Sequence, residues 1–123
     1  MFEKFNFTKG QIERFFKSAQ RDLKIALASD EIEVIFLFSY NALIKIAIAV
    51  CAQHGFRIKS QQGYHRELIE KLAEYLENDD IEVIGNEMRM KRNWDFYDGG
   101  ITVSEKEANE YRIWVEGIIK KSN

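Results

Sequence analysis

Arg92, Asn93, Asp95 and Tyr97 lie close together in the stretch MKRNWDFYDGG, Met90 to Gly100. It is the densest mix of charged, amide and aromatic side chains in the chain. A guanidinium offers a planar fork of N–H donors, an amide both donates and accepts, and a phenol can do either. Gathered at one helix end, such groups suit the binding of a phosphate or nucleotide. They equally suit a structural ion pair at the end of a helical bundle, because ion-pair networks also concentrate charge. His65 is a further titratable candidate. At the start of a helix its cation is disfavoured by the helix dipole, and it reads either as a hydrogen-bonded packing residue or as a proton-handling group.

These groups depend on the helix that carries them. Asp79, with Glu82 three residues on, has the spacing of a capping box. A helix from there places Ile81, Ile84 and Met88 on one narrow stripe, with Arg92 one turn further along it. A guanidinium on a core-facing line needs a partner or a ligand, since burying an unpaired charge is costly. Asp95 at i+3 can be that partner, and Asn93 and Tyr97 are i, i+4 neighbours on an adjacent face. Gly99 and Gly100 end the helix.

The remaining elements also read as helices. Thr8 with Gln11 forms a capping box for a helix to about Ala28, with Phe7 and Ile12 spaced as a hydrophobic staple. Phe2 and Phe5 precede it, in a short extension over residues 1–7, and are expected to pack back on the bundle, with a subunit contact as the alternative. A second helix, capped by Asp30 with Glu33, runs to His54, and Gly55 suits its C-terminal turn. It is apolar nearly all round, from Val34 to Val50. Length alone would let it span a bilayer, but Lys45 near its middle would be costly there. It therefore reads as a central bundle helix with one face left for a second subunit. A polar loop, Arg57 to Gly63, leads into a third helix from about Tyr64 to Glu77, with His65, Leu68, Ile69, Leu72, Ala73 and Leu76 facing inward. Ser104 with Glu107 caps a fifth helix, whose apolar face is Ala108, Tyr111, Trp114, Val115, Ile118 and Ile119. No β-strand pattern of any length is expected. The fold class is all-α: an up-and-down bundle of four to five helices forming a single domain over residues 1–123.

Composition agrees. The 123 residues are 46% hydrophobic and 31% charged, with no proline and 7 glycines, too few turn formers for a turn-rich fold. A net charge of −2 gives no overall sign of a strongly basic nucleic-acid binder. The single cysteine, Cys51, sits in an apolar run, and MFEKFNFTKG has no apolar core of signal-peptide length, so a reducing cytoplasm is expected. The chain has no CxxC pair, HExxH, phosphate-binding glycine loop or GxSxG elbow. Two histidines and one cysteine leave too few ligands for a structural zinc site, and no metal or cofactor is expected.

AQRDLKIAL, SYNALIKIAIAV followed by HGF, YHRELIEKL, RNWDFYD and ITVSEKEANEYRIWVEGII, in that order, resemble the HEPN superfamily over roughly Ala19 to Lys120. Its members are small prokaryotic helical bundles often found with minimal nucleotidyltransferases in toxin–antitoxin pairs. The resemblance implies a homodimer that binds RNA or nucleotide, with no membrane association. Active members are metal-independent endoribonucleases whose motif runs from Arg, often followed by Asn, to a His four to six positions on. Arg92 and Asn93 match its start, and Tyr97 stands where His is expected. A branch of the family ends the motif in Ala-Asp-Tyr, of which Asp95-Phe96-Tyr97 is a variant. A tyrosine with a pKa of about 10 is a poor general base at neutral pH, though it can donate a hydrogen bond. Three functions follow as alternatives. One is RNA or nucleotide-phosphate binding through Arg92, Asn93 and Tyr97, with Asp95 and His65 as further binding residues. Another is endoribonuclease action by Arg92 and Tyr97, with His65 as a substitute base if the fold brings it near. The last is a non-catalytic protein-interaction module.

Overall fold

Ile32–Gln53 carries too little polar surface to lie against water on any broad face, and it forms the axis of the molecule. The computed structural model describes residues 1–99 and 103–122, and of residues 95–98 the backbone only. The helices are α1 (Lys9–Ala28), α2 (Ile32–Gln53), α3 (Tyr64–Tyr75), α4 (Asp79–Asp98) and α5 (Glu105–Ser122). The protein is an all-α bundle in which α2 packs against each of the other four helices. Phe36, Tyr40, Leu43 and Ile46 of α2 are fully buried, each apolar side chain stabilising the fold by about 1.5–3 kcal/mol. By length and composition α2 could cross a membrane, but 67% of its most apolar window is buried among its neighbours.

Several polar groups of the axis find partners on other elements, whereas the buried Ser39 hydroxyl has none among the described residues. Lys45 Nζ lies 2.7 Å from a carboxylate oxygen of Asp22 on α1, whose side chain is only 5% exposed. Tyr40 reaches His65 on α3. Arg112 on α5 donates to the Ala26 carbonyl at 3.1 Å, meeting an orphan acceptor in the last turn of α1. His54 ends α2: its ring Nδ1–H donates to the Val50 carbonyl at 2.9 Å, and its ring stacks on Tyr75 at 3.9 Å.

The capping boxes Thr8–Gln11 and Ser104–Glu107 both form, each with side-chain-to-backbone bonds in both directions. Two other caps fall one residue from their expected places. α2 starts from Glu31, with Ser29 Oγ rather than Asp30 accepting the nearby N–H. At α4 the side chain of Asn78 accepts from Asp80 N, and Asp79 lies inside the helix. α3 ends at Tyr75, before Glu77, whose φ of +51° stops the helix.

The expectation of no strands is overturned on a small scale. Phe2–Lys4 (β1) pairs antiparallel with Phe56–Ile58 (β2), so the first residues of the chain are pinned to the loop after α2. Arg57 ion-pairs with Glu3 directly across the ladder and lies over the Phe5 ring at 4.4 Å. Phe2 packs on the core, as expected of it.

The approach of α3 to α4 positions the functional residues. Gly85 of α4 is buried against Ile69 of α3, where an added Cβ would lie 2.7 Å from Ile69 Cγ2. His65 is one turn before Ile69, and Arg89 one turn after Gly85.

Candidate functional site

α4 presents one face to the core and another to α3. Ile81 and Met88 are fully buried, and Arg92 follows on the same stripe as a half-buried side chain. Arg89 and Asn93, both partly buried, lie to one side and face the N-terminus of α3. There Arg89, Arg92 and Asn93 meet Gln61, Gln62, Gly63, Tyr64, His65 and Arg66 around a cavity of about 420 Å³. Among the described residues its lining contains three guanidiniums and no carboxylate. Arg66 is partly neutralised by Glu70 at 3.1 Å. Arg89 donates to the Asn86 amide oxygen at 3.1 Å, and Arg92 to that of Asn93 at 3.4 Å; both bonds leave the positive charge in place.

The loop enters α3 through Gly63, whose φ of +84° belongs to the left-handed region that glycine adopts without penalty. Gly63 brings no side-chain cap; Tyr64 N–H is taken by the Gln61 carbonyl, and the next N–H groups, of His65 and Arg66, belong to residues that line the cavity with the guanidiniums. An anion in the cavity is thus met by two kinds of donor, fixed dipoles and full charges.

His65 stands between these donors and the core. Its Nδ1 is 2.9 Å from the Tyr40 hydroxyl, leaving Nε2 for a ligand. Burial lowers its pKa first, and the charges of Arg92 and Arg89 lower it further, so the imidazole is neutral at pH 7. Tyr40 remains a phenol: burial raises its pKa, against a smaller downward pull from Arg92 and Arg89. A phenol can donate to Nδ1 or accept from it. The imidazole can therefore present Nε2 as a donor to a phosphate oxygen or as an acceptor for a proton, and keep Tyr40 as partner in either tautomer.

Of the residues singled out from sequence, Arg92, Asn93 and His65 come together on one cavity. The side chains of Asp95 and Tyr97 lie outside the described residues, as do Gly100 and any Arg92–Asp95 pair. Two participants were not anticipated. Arg89 lies at i−3 from Arg92 and i−4 from Asn93, spacings that share a helix surface. Tyr40 is a phenol inside a largely apolar helix, and a buried hydroxyl favours a partner. Among the described residues no cluster of three or more His, Cys, Asp or Glu side chains could hold a metal ion. Cys51 is buried, and desolvation pushes its thiol up to about 12, far from a reactive thiolate. No protein-family model matches the chain, and neither a curated protein nor a solved structure is similar enough to argue kinship.

Proposed function

We propose that this chain is a cytoplasmic, homodimeric HEPN-type protein that binds RNA or nucleotide phosphate, acting in a toxin–antitoxin or nucleotidyltransferase-associated system. The observation that carries the proposal is the convergence of Arg89, Arg92 and neutral His65 on a cavity whose described lining has no carboxylate. Two guanidiniums held side by side repel one another, and a phosphate relieves that repulsion while accepting their hydrogen bonds. The sequence resemblance adds the dimer and the partner class. Val83, Met90 and Trp94, exposed at 66%, 58% and 61% on the outer face of α4, offer apolar surface for such a contact. The test is binding of labelled RNA and nucleotides to the native chain and to Arg92→Ala. Binding should be lost while the helical circular-dichroism signal is kept; unchanged binding removes the site assignment.

The Tyr40–His65 bond favours a second reading, a metal-independent endoribonuclease. His65 would take the proton from a ribose 2′-hydroxyl, and the 2′-oxygen would attack phosphorus. The P–O5′ bond would then break to give a 2′,3′-cyclic phosphate and a 5′-hydroxyl, which takes its proton from Tyr97 or water. Arg92 and Arg89 would stabilise the charge gathering on the phosphoryl oxygens. RNA cleavage that survives EDTA and disappears in His65→Ala supports this chemistry. Cleavage that is absent, or indifferent to His65, removes it.

A further inference from the structure

The guanidinium cavity has two chemically different walls. α4 supplies Arg89, Arg92 and Asn93; the opposite wall is the turn into α3, where Gln61, Gln62 and Tyr64 precede His65 and an Arg66 already paired with Glu70. A bare phosphate needs only the first wall. At about 420 Å³ the cavity falls within the range of about 300–1,000 Å³ typical of organic ligands, and a lone phosphate would leave most of it empty.

We infer that this cavity takes a whole nucleotide unit, its phosphate on Arg89 and Arg92 and its base against the Gln61–Tyr64 turn, so that Gln61 and Gln62 set base preference. The inference rests on the phosphate reading above and extends it. Each glutamine amide carries a donor and an acceptor side by side, the pattern that pairs with a base edge, where a lysine or arginine would be drawn to phosphate instead. The turn that presents them is held by local bonds. Tyr64 N donates to the Gln61 carbonyl at 3.1 Å, and Glu67 N to that of Gly63 at 3.3 Å. Tyr64 is fixed in turn, its ring edge-on to His65 at 4.4 Å and packed against the core. It gives the base an aromatic wall, and stacking on an aromatic ring accepts any base, which leaves the amides to discriminate. The two glutamines are exposed and belong to no helix, so their side chains can be changed without disturbing the bundle.

The shared ligand chemistry is a nucleoside monophosphate, either free or as an unpaired residue of an RNA strand. The test titrates the full chain with inorganic phosphate, the four nucleoside 5′-monophosphates and a short single-stranded oligoribonucleotide. The Gln61→Ala/Gln62→Ala double variant and Arg92→Ala are titrated in parallel. At least one monophosphate should bind about tenfold tighter than inorganic phosphate. The four monophosphates should differ among themselves in the native chain; the double variant should level them to within about twofold of one another, keeping only the stacking advantage over inorganic phosphate, whereas Arg92→Ala weakens every phosphate ligand. An oligoribonucleotide that outbinds the mononucleotides makes the unit part of a strand; equal affinity makes it a free nucleotide, and both support the inference. Equal binding of inorganic phosphate and all four monophosphates overturns it and leaves the phosphate site standing. So does a double variant that keeps the preference. If no phosphate ligand binds and Arg92→Ala changes nothing, the phosphate site itself falls, and this inference with it.

Discussion

Substituting Gly85 by alanine tests the helix approach on which the cavity depends. Its Cβ would stand 2.7 Å from Ile69 Cγ2 and 3.5 Å from both Ile69 Cγ1 and Leu43 Cδ2. Carbon pairs prefer about 3.5–4.0 Å, so α3 and α4 would have to part by up to about 1 Å locally. Ile69 and Leu43 are fully buried and cannot swing into solvent. Alanine gains about 1 kcal/mol over glycine inside a helix, but overpacking a filled core costs about 1–3 kcal/mol. We expect Gly85→Ala to destabilise the protein by up to about 2 kcal/mol, lowering Tm by up to about 8 °C for a chain of this size. Gly117 in α5 is the internal control, because a Cβ there meets nothing within 4 Å. Gly117→Ala should raise Tm by about 3–4 °C. Thermal unfolding followed by circular dichroism measures both. The separation should also weaken phosphate binding, since His65 and Arg89 sit one turn beyond the contact on opposite walls. If Gly85→Ala stabilises as Gly117→Ala does, α3 and α4 are not packed as described, and the walls of the cavity are not set by that contact.

Other consequences can be measured in the same preparation. Lys45→Met should destabilise by about 3 kcal/mol by stranding the buried Asp22 carboxylate, whereas Lys45→Met with Asp22→Leu should recover most of the loss; chemical denaturation of the single and double variants decides this. The lowered pKa of His65 has a definite sign. Its stabilising contribution is fully present above the unfolded value of about 6.5 and is lost as pH falls through the folded value, because the unfolded chain then binds the extra proton. A bound diester offsets the charges of Arg89 and Arg92 and raises the His65 pKa, so a dinucleoside monophosphate should bind more tightly at pH 5.5 than at pH 7.5, with proton uptake. Calorimetry at pH 5.5 in buffers of different ionisation heat would expose the contrary, an uptake of zero. Cys51, with its thiol pushed up to about 12 by burial, should resist an aromatic disulfide reagent in the folded protein and react on unfolding; prompt reaction would contradict its burial.

What the sequence disclosed follows the range over which each interaction acts. The boxes Thr8–Gln11 and Ser104–Glu107 are three-residue patterns with one solution, and both are formed. The caps of α2 and α4 lie in Ser29-Asp30-Glu31 and Asn78-Asp79-Asp80, where adjacent side chains compete for the same N–H groups. Strands of three residues carry too little alternation to register, and the partner of Phe2–Lys4 lies more than fifty residues away. Helical phase placed Arg92 at the end of the Ile81–Met88 stripe, and the inward stripe of α3 carried His65 to the same cavity. Phase could not show that Arg89, on the flank, faces α3, nor that Lys45 meets Asp22, because both depend on how helices cross. Tyr40 was hidden by its neighbours, in a run otherwise read as core.

The decisive measurement is the affinity of the native protein for a short single-stranded RNA, compared with Arg92→Ala and Arg89→Ala, each checked for retained helical signal and Tm. The site described here predicts measurable binding that weakens with salt and drops at least about tenfold in each variant. Binding that is absent in the native chain, or equal in all three proteins, would contradict it.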